Sequence, residues 1–103
     1  MDKNNALNIA EKYAEVLRSR YGNIRIFLFG SFIKGNYTDS SDIDIAVILK
    51  DYSNLRDIQL ELMKLRRDID SRIEPHPFRE DDFNLSNPFV YEIIKSGQEV
   101  AIG

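Results

Sequence analysis

Gly30-Ser31 and Asp42-Ile43-Asp44 are the residues of this chain best suited to do chemistry. A Gly-Ser pair that closes an apolar run and opens a helical turn leaves backbone N–H groups unpaired. Such groups attract anions, phosphate above all. Gly30 removes the side chain that would hold a phosphate off the backbone, Ser31 adds a hydroxyl donor, and Gly35 permits the turn back. Asp42 and Asp44 interrupt a run that otherwise reads as a strand, a place where carboxylates are disfavoured. Two hard oxygen ligands side by side suit Mg²⁺, which takes one or two carboxylates and completes its shell with water and phosphate oxygens. A pair of such ions can activate an attacking oxygen and stabilise a leaving one at phosphorus. A phosphate cradle facing a metal platform would explain the acids: cations neutralise them where the strand end opens into a cleft.

Each half has an ordinary explanation when taken alone. A Gly-Ser after a strand is usually a turn, and an Asp-x-Asp is often a solvated face. The combination, with ten residues between Ser31 and Asp42 and strand signals on both sides, points to function. Two rival motifs fail. Gly30 to Gly35 has P-loop glycine spacing, but Asn36 and Tyr37 stand where Lys and Ser/Thr are needed. An EF-hand needs a glycine and a distal glutamate in register with its acids, whereas the chain runs apolar after Asp44. Lys34 could meet a phosphate or be solvated. Ser41 could touch the substrate or cap the acidic turn, and capping is the simpler reading. His76, the only histidine, could be a neighbour of the site or a surface residue held between two prolines, and the second is the simpler reading. The tyrosines have no evident catalytic role.

These residues need elements to place them. Residues 4–21 read as an amphipathic helix, with Leu7, Ala10, Ala14, Leu17 and Tyr21 at helical spacing, basic residues in the last turn and Gly22 as the stop. Residues 24–29 read as a buried strand, and 31–34 as a short helix before a polar turn. In 42–49, Asp42, Asp44, Ala46 and Ile48 share one face and Ile43, Ile45, Val47 and Leu49 the other. Residues 54–69 form a second amphipathic helix capped by Ser53 or Asn54. Residues 71–78 read as a third strand, paired on one side or briefly because Pro75 and Pro77 lack donors. "REDDFNLS" reads as a polar connection. Asn87-Pro88 starts a helix to about Ser96, Gly97 stops it, and 98–102 could add a last strand. Strands alternating with helices predict an α/β (α+β) chain with one mixed sheet and helices packed against it.

Length and composition set outer bounds. The 103 residues suit one domain, 1–103, with a core that needs no staples. A composition of 43% hydrophobic and 30% charged residues is globular. The net charge of -3 argues against bulk nucleic acid as a partner. Without cysteine there is no disulfide and no thiolate zinc site. No membrane-length apolar run and no signal peptide is evident, so a cytoplasmic protein is expected.

The Gly-Ser, ten-residue spacer and Asp-x-Asp resemble the signature of the DNA polymerase beta-like nucleotidyltransferase superfamily. "GSFIKG" and "SDIDIAVI" look most like its minimal nucleotidyltransferases, the MNT proteins, over roughly residues 24–80. The resemblance implies the palm-like fold, Mg²⁺ (two ions) and ATP or another NTP as substrate. It implies Gly30 and Ser31 as nucleotide-binding, with Lys34, Gly35 and Ser41 as further candidates beside them, and Asp42 and Asp44 as catalytic metal ligands. It also implies a third carboxylate on a neighbouring strand. By position this is Glu74, where many relatives have aspartate; Asp70 is the rival, nearer a helix end. Arg72, Glu74 and His76 alternate onto one face. The family further implies a HEPN-domain toxin as partner, either adenylylated on a tyrosine or silenced by complex formation alone. A hetero-oligomer or a homodimer would be compatible with this.

Overall fold

A computed structural model describes residues 2–101. The chain runs α1 (Lys3–Tyr21), β1 (Arg25–Phe29), α2 (Ser31–Lys34), β2 (Ile43–Leu49), α3 (Leu55–Leu65), β3 (Ile73–Arg79), α4 (Pro88–Ser96) and β4 (Gln98–Glu99). The strands form one mixed sheet in the order β3-β2-β1-β4. β1 is antiparallel to β2 and to β4, and β2 is parallel to β3.

Local chemistry explains most of the boundaries. Asp2 caps α1 by accepting from the Asn5 N–H at 2.9 Å. Asn54, the second of the two candidate caps, accepts from the Asp57 N–H at 3.1 Å. Asn87 accepts from the Phe89 N–H at 2.9 Å, with Pro88 in the first turn of α4. α3 ends at Leu65, earlier than the apolar stripe suggests. Turn bonds such as Ile69 N–H to Arg66 O (2.9 Å) replace the helical ladder there, so the chain can reverse into β3. β2 begins at Ile43, which leaves Asp42 just before the strand. Of the expected last strand, Gln98 and Glu99 pair with β1, while Ile102 lies outside the described residues.

Among the described residues β3 pairs on one side only. Ile43 N–H donates to Arg72 O at 2.8 Å. In this register the alternate residues Ile73, Pro75 and Pro77 turn their backbone groups outward, so neither proline costs a ladder bond. The outward carbonyls of Ile73 and Pro75 instead accept from Arg66 Nη1 (2.6 Å) and Gln59 Nε2 (2.9 Å) of the α3 region, which covers this edge.

The two sheet faces bury separate clusters. On one, Ile26, Leu28, Ile43, Ile45, Val47 and Ile73 meet α1 and α3 through Tyr13, Leu17, Ile58 and Leu62. On the other, Phe27, Ala46 and Ile48 meet Val90 and Ile93 of α4 and Phe83. The connection after β3 is therefore more than polar. Glu80–Asp82 makes a 3-10 turn, and Phe83 packs against Phe27 and Phe78 with ring centroids 5.5 and 5.3 Å apart. Asp44 shares the α4 face with Ala46 and Ile48, at the end where the apolar cover stops.

Candidate active site

Gly30 links β1 to α2 with φ +83° and ψ -148°, a conformation open to glycine alone. Its carbonyl accepts from Ile33 and Lys34 N–H at 3.1 and 3.0 Å, which leaves the N–H groups of Ser31 and Phe32 ahead of the first helical bond. Gly35 closes the four-residue helix in the left-handed conformation, φ +84°. Lys34 is exposed at the end of that helix.

Phe29 of β1 pairs with Asp44 of β2, so the Gly30 turn lies beside the Asp44 side chain. A Cβ placed on Gly30 would overlap Asp44 Oδ2 and sit 3.2 Å from its Cγ. Glycine is thus demanded here by an acid as well as by the turn. The other carboxylate oxygen, Oδ1, lies 3.1 Å from His76 Nε2. A carboxylate only accepts, so the imidazole donates. His76 is half-buried and its ring lies edge-on to Phe29, centroids 5.0 Å apart, with Phe89 at 6.1 Å. The expected surface histidine is instead a partner of Asp44.

Asp44 faces Glu74 in the parallel register of β2 and β3, on strands about 4.8 Å apart. Asp70 does not join them. Its carboxylate is chelated by Arg72 (Nη2–Oδ2 2.7 Å, Nε–Oδ1 3.0 Å) and caps the Arg72 N–H. The Arg72 guanidinium holds the Asp70 carboxyl below the usual carboxylate range. Arg72 is thereby engaged by Asp70. Ser41 Oγ accepts from the Thr38 N–H at 2.7 Å, the capping role that was the simpler of its two readings. Asp42 is exposed in the turn before β2.

No three ligating side chains converge among the described residues into a ready metal-binding group. Asp42 stands outside the strand, in the turn before β2. The donor chemistry still fits a hard cation: Asp42, Asp44 and Glu74 offer only oxygen, and Mg²⁺ needs one or two carboxylates from the protein. Beside them a cleft of about 190 Å³ opens between α2 and α4, lined by Phe29, Gly30, Ile33, Lys34, Phe89 and Glu92 among others.

The family model described as polymerase beta nucleotidyltransferase matches residues 11–102. The chain belongs to that family. Similar to it are two proteins of Methanocaldococcus jannaschii that carry the name "putative protein adenylyltransferase". One is 34% identical over 71 residues, 67% of this chain and 46% of the relative. The other is 28% identical over 79 residues, 74% of this chain and 77% of the relative. The match thus spans about half the length of the first. Among solved structures, a "putative nucleotidyltransferase" from Sulfolobus solfataricus superposes with a TM-score of 0.67 at 23% identity, over 94% of this chain and 80% of that one. The toxin-antitoxin MntA-HpeT superposes at 0.63 with 21% identity, over 100% and 75%. A toxin-antitoxin with AMP-PNP gives 0.65 at 24%, over 90% and 73%. At these identities the structures establish the nucleotidyltransferase fold. Within it, His76 is the residue that sequence reasoning undervalued. Period-2 alternation puts it on the Glu74 face, but only the β2–β3 register aims it at Asp44.

Proposed function

We propose that this chain, as one nucleotidyltransferase domain over residues 1–103, transfers AMP from ATP to a hydroxyl of a partner protein. The acceptor we favour is a tyrosine of a HEPN-domain toxin, which the transfer would silence, making this chain an antitoxin of the cytoplasm. The observation that carries the reading is the packing of Gly30 against Asp44: the phosphate-binding turn and the acid occupy one spot. The adenylyltransferase names of the relatives support the donor, and the toxin-antitoxin neighbours support the kind of partner. Among the described residues no helix is long and apolar enough to cross a membrane.

In this reading the free N–H groups of Ser31 and Phe32, the Ser31 hydroxyl and the Lys34 ammonium hold the distal phosphates. Gly35 lets α2 end so that Lys34 stays near the turn, and Ser41 braces the loop leading to the acids. Asp42, Asp44 and Glu74 would hold two Mg²⁺ ions. When bound, these supply charge stabilisation and polarisation at phosphorus. The acceptor oxygen attacks the α-phosphorus, the bond to the bridging oxygen breaks, and pyrophosphate leaves. Glu74 would take the proton of the acceptor hydroxyl. The protein contributes mainly position and fixed charge, as is usual in phosphoryl transfer.

Incubation with α-labelled ATP, Mg²⁺ and a HEPN-domain protein encoded beside this chain tests the reading. Label should move to the partner and be lost with Asp42→Ala or Asp44→Ala. A second reading, an antitoxin that acts by binding alone, draws on the exposed Leu85, Phe89 and Tyr91 around α4, which suit a protein contact. Silencing of the partner with no transfer of label, by wild type and acid variants alike, would select it.

A further inference from the structure

The two oxygens of the Asp44 carboxylate have different neighbours. Oδ1 accepts from His76 Nε2 at 3.1 Å, while Oδ2 fills the space that a Cβ at Gly30 would occupy. A free aspartate side chain turns about its terminal bond between two nearly equivalent states. Here the two oxygens are made different. The donor is itself fixed. His76 follows Pro75 and precedes Pro77, both with a locked φ, and its ring lies edge-on to Phe29 and to Phe89, which pack against each other beside it. Its backbone partner is Ala46, two residues beyond Asp44 on the same sheet face. Ala46 has too small a side chain to contest the space over which the imidazole reaches back. A histidine whose ring is this constrained is suited to orient a neighbour, and outer-shell hydrogen bonds of this kind set how well a carboxylate serves a metal.

We propose that His76 is a positioning residue for Asp44: by donating to Oδ1 it holds the carboxylate so that Oδ2 stays turned toward the Gly30 turn, ready for a divalent cation. The proposal rests on the nucleotidyltransferase reading of the Asp42–Asp44 pair. It assigns His76 no contact with substrate and no proton to move in the reaction.

Binding of Mn²⁺ in the presence of a non-hydrolysable ATP analogue, followed by the electron paramagnetic resonance of free Mn²⁺, tests it without relying on turnover. His76→Ala should weaken Mn²⁺ binding by about 10-fold or more. Binding of the analogue measured in EDTA should stay unchanged. Two polar variants separate positioning from packing. The amide nitrogen of His76→Gln can stand where Nε2 stands, whereas that of His76→Asn is too short. Gln should bind Mn²⁺ within about threefold of wild type and Asn should behave like Ala, a ranking that the usual outer-shell losses of 10- to 100-fold make resolvable. The Gln–Asn pair also serves if the alanine variant does not fold. Equal Mn²⁺ affinity in wild type and His76→Asn, while Asp44→Ala abolishes binding, would overturn the positioning role and leave the nucleotidyltransferase reading standing. Mn²⁺ binding by Asp44→Ala at wild-type strength, or none by the wild type, would overturn that reading and this inference with it.

Discussion

Gly30→Ala and Gly22→Ala form a matched pair. Both glycines sit in nearly the same backbone state, φ +83° and ψ -148° for Gly30 and φ +88° and ψ -160° for Gly22. An alanine at either site therefore carries the same strain, about 1–3 kcal/mol. Only the surroundings differ. A Cβ at Gly22 meets nothing within 4 Å, whereas at Gly30 it overlaps Asp44 Oδ2 and lies 3.2 and 3.3 Å from Cγ and Cβ of that residue. The carboxylate must swing away, and doing so breaks its bond to His76. Hydrogen bonds to charged groups are worth about 1.5–3 kcal/mol, which is the expected excess cost of Gly30→Ala over Gly22→Ala. At about 4–8 °C per kcal/mol for a domain of this size, the two variants should melt about 10 °C apart. Thermal melts followed by circular dichroism, without nucleotide or metal, isolate the protein's own contribution. In an Asp44→Ala background the excess should vanish, because the obstructing side chain is gone; the coupling should equal the excess. Equal melting of the two glycine variants, or an excess that persists without Asp44, would refute the claim that Gly30 is glycine on account of Asp44.

Three further outcomes are expected. Asp42→Ala should leave stability within about 0.5 kcal/mol, because Asp42 is exposed and removing one acid of a like-charged group relieves repulsion; the same variant should lose nucleotidyl transfer, and a lowered melting temperature in metal-free buffer would recast the acid as structural. Burial, reinforced by the hydrogen bond to Glu61, pushes the Tyr21 hydroxyl up to about 12, and burial raises Tyr13 as well. A raised tyrosine value favours the folded state below the ordinary value near 10 and loses that contribution as pH rises through the folded one; absorbance at 295 nm should show part of the five-tyrosine signal still un-ionised at about pH 11, and complete ionisation by then in folded protein would contradict the packing. The Asp70 carboxyl is depressed, chiefly by Arg72, so its contribution is whole above the ordinary carboxylate value near 4 and lost as pH falls through the folded value; Asp70→Asn should be less stable than wild type at neutral pH, with the gap closing on acidification in urea titrations, and a gap independent of pH would remove the ion pair as its cause.

Much of this protein was legible in its residue order because the signals are local. Asn87-Pro88 fixes the start of α4, Gly22, Gly30 and Gly35 mark turns that need positive φ, and alternation in 42–49 separates the acid-bearing face of β2 from its apolar one. The Gly-Ser and Asp-x-Asp spacing was legible for the same reason. A strand, a turn and a returning strand are contiguous in sequence, so spacing stands in for distance. Family membership followed from that spacing, and the match over residues 11–102 agrees with it.

What the sequence could not carry was the meeting of residues from separate segments. Whether Asp44 faces Glu74 and His76 depends on a parallel register between strands joined by a helix, and a shift by one residue would turn both away. Asp70 and Glu74 are equally acidic on paper; Arg72 claims the first only because the turn into β3 brings the two together. Phe83 read as part of a polar connection because nothing nearby predicts the gap between Phe27 and Phe78 that it fills. Residue types and spacing determined that an acid and a glycine turn at a helix start would exist. The sheet decided which oxygen of Asp44 is held by His76 and which rests on Gly30, because those contacts are set by strand pairing and side-chain packing.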